Sequence, residues 1–161
     1  MASLQIARNQ PMADQVLLDG KMATDPWLFL GGDDPLPPDN YPIALPVSRW
    51  LADHEACLAY PGLKGIVLTN TQDIHVLRED LQQLDLICID FPTAVDGRGY
   101  SQARLLRQRY GYEKELRAVG EVLVDQLFLM VRCGINAFSL QHGEDVIQAS
   151  RFLKPFSFTY Q

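Results

Sequence analysis

From Gly65 onward, short apolar runs of strand length alternate with segments whose apolar residues recur at helical spacing, and few folds accept that pattern. Ile66-Val67-Leu68 predicts a buried strand. A helix from about Gln72 then presents Ile74, Leu77, Leu81 and Leu84 at intervals of three, four and three. Leu86 to Asp90 predicts the next strand, and a helix from Ser101 buries Ala103, Leu106 and Tyr110 before Gly111 closes it. Strand Leu116 to Val119 is followed by a helix over Glu121 to Arg132, apolar almost all round, which Gly134 ends. Strand Ala137 to Leu140 and a helix from about Asp145 to Leu153 complete the series before Pro155. Apolar strands joined by crossover helices predict an α/β fold with a mainly parallel sheet. The pattern fits an open doubly wound sheet and a partial βα barrel equally well.

The residues before this series read differently. Val16 to Leu18, the Asp19-Gly20 turn signal and Trp27 to Leu30 predict a hairpin or paired extended segments, a small N-terminal β extension. Gly31 to Pro46 contains Pro35, Pro37, Pro38, Pro42 and Pro46, which excludes a long helix and predicts an extended connector. We place a boundary near residue 40, with an extension over 1–40 and the α/β domain over 41–161. Within the latter, Ile43 to Val47 predicts a short strand, and Ser48 a cap for a helix running toward Leu58 before Pro61-Gly62. Phe156 to Gln161 alternates aromatic with polar residues, the pattern of an added strand or of a surface for a partner or second copy.

A chain of 161 residues suits one domain with a real core, and 47% hydrophobic with 21% charged residues is the balance of a globular protein. No apolar run reaches the length of a membrane span, and polar and basic residues interrupt Met1 to Gln10, unlike a secretory signal. A cytoplasmic protein without membrane contact is expected. The net charge of -6 opposes general nucleic-acid binding. Cys57, Cys88 and Cys133 are odd in number and scattered, as buried thiols are. No metal site is expected: His54 and Cys57 share a helical spacing without further ligands, and His75 and His142 are isolated.

The stretch Phe91 to Gly120 carries the candidate site. Pro92 stops the strand, and a loop through Asp96, Gly97, Arg98 and Gly99 leads to Ser101, read as a helix N-cap. Free amides at a helix start, two glycines permitting close approach and one guanidinium suit a small oxyanion. Arg98, Arg104, Arg107, Arg109, Lys114 and Arg117 outnumber Glu113 and Glu115 in an otherwise acidic chain. Asp96, Gly97, Arg98, Gly99, Ser101 and Arg117 are thus the candidate ligand-binding residues, for a sulfur oxyanion or a phosphate-bearing ligand. The plainer reading has Asp96 and Arg98 fixing the loop and Arg104, Arg107 and Arg109 on a solvated helix face. Arg117 lies within a short apolar strand and must reach a partner, for which Asp90 is the natural candidate, as an ion bridge or a polar pair at a pocket mouth. Glu121, Asp125 and Arg132 fall within about 60° of one another on the expected third helix, as a solvated face or subunit contact would.

The run Asp96-Gly-Arg-Gly-Tyr-Ser-Gln-Ala-Arg-Leu-Leu-Arg107, with Leu116 to Gly120, Asp125-Gln-Leu127 and Arg132-Cys-Gly134, resembles the bacterial domain-of-unknown-function family 934 over roughly residues 45 to 161. Ile135-Asn136 stands where that family more often has a Phe-Asp pair. The resemblance implies a link to assimilatory sulfite reduction, as a predicted oxidoreductase or as a non-catalytic accessory of sulfite reductase, and supplies no catalytic residues. The cofactor stays open. Gly97-x-Gly99-x-x-Gln102 lacks the third glycine of a dinucleotide fingerprint, three scattered cysteines do not make an iron-sulfur site, and flavin remains compatible with a phosphate-binding loop. Ser101 has neither a nucleophile elbow nor a histidine close in sequence.

Overall fold

A computed structural model describes residues 15–93, 96–140 and 143–153. The readings made for Met1 to Gln10, His142 and the aromatic tail lie outside the described residues. Eight strands form one sheet: β1 (Gln15–Leu18), β2 (Lys21–Thr24), β3 (Leu28–Phe29), β4 (Ile43–Pro46), β5 (Lys64–Leu68), β6 (Leu86–Phe91), β7 (Glu115–Gly120) and β8 (Ala137–Phe138). Their spatial order is β2-β1-β8-β7-β6-β5-β4-β3. Neighbours from β3 to β8 are parallel, and β1 pairs antiparallel with both β8 and β2. Asp19 and Gly20 make the β1-β2 turn with φ of 50° and 81°, the double positive φ that a tight hairpin favours.

The strands of the expected extension therefore close both flanks of this sheet, and the chain between them reveals its shape. Laid flat, seven inter-strand spacings would separate β2 from β3 by about 34 Å. Only Asp25, Pro26 and Trp27 join the two strands, and so short a link reaches about 15 Å at most. The sheet must curl. It is a mostly parallel half-barrel, and the order from β3 to β8 follows the chain without the reversal of a doubly wound sheet.

Helices cover the convex face: α1 (Val47–Ala52), α2 (His54–Ala59), α3 (Gly97–Gln108), α4 (Leu127–Arg132) and α5 (Gly143–Leu153). The main core lies here, where Ile66, Ile87, Ile89, Leu116 and Ala118 of the strands meet Trp50, Ala103, Leu106, Leu127 and Met130. Each large apolar side chain buried in this way contributes about 1.5–3 kcal/mol. A smaller cluster on the concave face joins Ala44, Leu86 and Cys88 to Trp27, Phe29, Val67 and Val119.

Several expected helices are shorter than predicted. Between β5 and β6 the chain makes two 3₁₀ turns, Ile74–Leu77 and Leu81–Gln83, although Ile74, Leu77, Leu81 and Leu84 are all buried as expected. Asp80 lies at the break, its Oδ2 accepting from Trp50 Nε1 and meeting His54 Nε2, both at 2.9 Å. The helix expected to run from Ser48 is α1 and α2, separated at Asp53. The third expected helix is α4 preceded by a 3₁₀ turn at Val124–Gln126, and Leu123 and Leu129 are exposed. Gly120, at φ 87°, turns the chain out of β7 there, and the Glu121 amide bonds to Phe91 O at 2.8 Å instead of starting a helix.

Candidate functional site

β6 ends at Phe91, and the loop beyond it brings the chain to α3 at the C-terminal edge of the parallel strands, where ligands of such sheets gather. The cap of α3 is Asp96 and not Ser101. Asp96 has extended backbone angles (φ -76°, ψ 110°), and its Oδ1 accepts from the Arg98 amide at 3.0 Å. The Arg98 side chain folds back onto the same carboxylate, Nε donating to Oδ1 at 3.1 Å and Nη2 to Oδ2 at 2.9 Å. Asn70 Nδ2, from the turn after β5, donates to Oδ2 as well. Hydrogen bonds from the Arg98 side chain and amide hold the Asp96 carboxyl down to about 2. The guanidinium is shifted upward by the same pairing.

Each remaining candidate in this turn has a definite place. Gly97 faces open space, and a side chain there would meet nothing within 4 Å. Gly99 permits close packing: a Cβ would lie 2.5 Å from Phe91 Cε1, so the missing side chain lets α3 settle on the aromatic ring. Ser101 is one turn inside the helix, its hydroxyl directed to Gly97 O at 3.4 Å. Gln102 is buried, and its Nε2 donates to Thr69 O and Gln72 O at 2.8 and 3.1 Å, tying α3 to the turn after β5. Between turn and helix lies a shallow open depression, lined by Asn70, Gln72, Gly97, Arg98, Ser101 and Leu105 among others. Asp96 to Ser101 therefore form one corner, with an anionic group already seated on the amide and guanidinium of Arg98.

Arg117 does not belong to that corner. It is fully buried on the concave face, while α3 packs on the convex one. The expected partner Asp90 is replaced by two others. Glu115 Oε2 accepts from Nε and Nη2 at 2.9 and 2.7 Å, and Asp25 Oδ2 accepts from Nη1 at 2.8 Å. Ser139 Oγ stands 3.5 Å from Nη1, and the Phe29 ring centroid 6.0 Å from the guanidinium carbon. Burial pulls the Arg117 pKa down, and the neighbouring Cys88, Glu115 and Asp25 more than reverse this, so the cation is held firmly. Asp90, at the end of β6, keeps a partly buried carboxyl whose pKa burial pushes upward. Gly120 makes room for it, since a Cβ there would fall 2.5 Å from Asp90 Oδ1.

Sequence reasoning missed Asp25, Asn70 and Gln102, and gave Asn136 no role. No local signal joins Asp25 to Arg117, 92 residues apart. Asn136, at the departure from the family's usual pair, is buried and accepts from the Leu116 amide at 2.8 Å while its Nδ2 donates to Asp19 Oδ1 at 3.2 Å. It thus links β7 to the β1-β2 turn. Cys57, Cys88 and Cys133 are free and buried. Among the described residues no cluster of three or more His, Cys, Asp or Glu has metal-binding geometry, and no helix is long and apolar enough to cross a membrane.

These features define an α/β half-barrel with a self-capped corner at the C-terminal edge of its sheet, where the Arg98 guanidinium is paired with Asp96 and Asp73 lines the same depression. The family described as bacterial protein of unknown function (DUF934) matches residues 65–161, more than half of the chain, and the protein belongs to that family. No curated protein matches it.

Proposed function

We propose that this protein serves assimilatory sulfite reduction by holding a small oxyanion, or the phosphate of a larger ligand, at the corner where the turn after β5 meets α3. The observation that carries the reading is the Asp96 carboxylate on the amide, Nε and Nη2 of Arg98. An anion has hydrogen-bond donors in place there, and Arg98 keeps 63% of its side chain exposed beside an open depression. Asp96 acts as a built-in competitor that an incoming oxyanion must displace or share. Sulfite is the ligand that fits the family's link to sulfite reductase. The oxidoreductase role rests on that link and on a bound cofactor, for which flavin is the candidate.

Isothermal titration of sulfite, sulfate and phosphate tests the reading. Arg98→Ala removes binding, whereas Asp96→Asn keeps a capping oxygen, releases the guanidinium and tightens binding. The absence of any ligand heat in both wild type and Asp96→Asn removes the proposal. A second reading, a non-catalytic accessory docked on sulfite reductase, draws on the open character of the same corner, where Leu105 lies beside Asn70, Gln72 and Arg98. Co-purification with the reductase that Arg98→Ala weakens supports docking, and visible flavin absorption in the purified protein supports the redox role.

A further inference from the structure

We propose that the connector from Asp25 to Phe29 is a latch over a second anion site on the concave face, built around Arg117 and opening while the helix-covered core stays folded. The connector crosses between the two flanks of the sheet, and what holds it is limited. β3 has two residues, paired with Ile43 and Ala44 and flanked by bonds from Leu28 N to Pro42 O and from Leu30 N to Ala44 O; Leu28 rests partly buried on the convex core, and Trp27 and Phe29 are only partly buried on the concave side. The concave cluster beneath is small beside the convex core. The main tether is the Asp25 carboxylate on Arg117 Nη1.

The charge arrangement makes that tether replaceable. One guanidinium stands between two carboxylates, and Glu115, in its own strand, already takes Nε and Nη2. Losing Asp25 therefore leaves a one-to-one ion pair and not a bare buried cation. Nη1 is the edge that an incoming group would meet, with Ser139 Oγ beside it and Cys88 in the neighbouring strand. A carboxylate or small oxyanion is the chemistry that takes Asp25's place. This site is separate from the Arg98 corner and does not depend on the function proposed there.

The three cysteines report on such an opening, because Cys88 lies in the concave cluster and Cys57 and Cys133 in the convex core. N-ethylmaleimide labelling of the native full chain, mapped by mass spectrometry, is expected to reach Cys88 ahead of the other two. Asp25→Asn should speed Cys88 labelling about tenfold or more and leave Cys57 and Cys133 unchanged. Sulfate should speed Cys88 labelling in the wild type beyond chloride at matched ionic strength, because an anion paired with Arg117 keeps the latch open. If Asp25→Asn does not fold, Trp27→Ala loosens the same connector without touching the ion cluster. Cys88 labelled only in step with Cys57 and Cys133 overturns the latch, and equal labelling in sulfate and chloride overturns the anion site.

Discussion

Replacing Arg117 with Met keeps a long side chain against Phe29 and Cys88 but removes the charge that Asp25 and Glu115 share. Both carboxylates are largely withdrawn from water, with side-chain exposures of 5% and 16%, and the guanidinium has none. Breaking a buried ion cluster by removing one partner costs about 3–5 kcal/mol, because the groups left behind have lost their hydration and their counter-charge. For a chain of this size that lowers the melting temperature by about 6–20 °C. Urea unfolding followed by Trp27 and Trp50 fluorescence measures the loss directly. Adding Glu115→Gln to Arg117→Met removes one of the two stranded charges and should recover part of it. A loss below about 1 kcal/mol, or a double variant no more stable than the single one, would contradict the view that this cluster fixes the connector across the concave face.

Gly99→Ala drives a Cβ into the Phe91 ring and should destabilise by about 1–3 kcal/mol even though alanine is favoured over glycine in a helix by about 1 kcal/mol, as thermal unfolding will reveal. Asp96 has a folded pKa near 2, depressed by Arg98, against an unfolded value near 4; its contribution is complete above about pH 4 and fades as pH falls toward 2. Acid unfolding of Asp96→Asn should therefore lack that part of the wild-type pH dependence, and identical acid curves would contradict it. Asn136→Leu leaves the buried Leu116 amide without its side-chain acceptor and should cost about 1–3 kcal/mol in urea, whereas an unchanged midpoint would deny the bridge between β7 and the β1-β2 turn.

The strands were legible because central parallel strands are apolar on both faces, and runs such as Leu86 to Ile89 have no other good use. Helices were less so. Spacing showed that Ile74, Leu77, Leu81 and Leu84 are buried, but burial at that spacing is also met by two 3₁₀ turns once Asp80 binds Trp50 and His54. In the same way, Ser101 has the chemistry of a cap, yet Asp96 has it too and lies where the chain first turns. The corner from Asp96 to Ser101 was readable as a unit because its residues are consecutive. Curvature and the Asp25–Arg117 pair were not, since both depend on how far apart the flanks of a sheet lie after it closes.

The most direct test of the corner follows the backbone amides of Gly97, Arg98 and Gly99 and the Arg98 Nε–H by nuclear magnetic resonance as sulfite is added to wild type and to Asp96→Asn. Saturable shifts confined to these groups and Ser101, reached at lower sulfite in Asp96→Asn and lost in Arg98→Ala, are the expected result. Shifts that are absent, spread evenly over the surface or indifferent to Arg98→Ala would contradict oxyanion binding at this place.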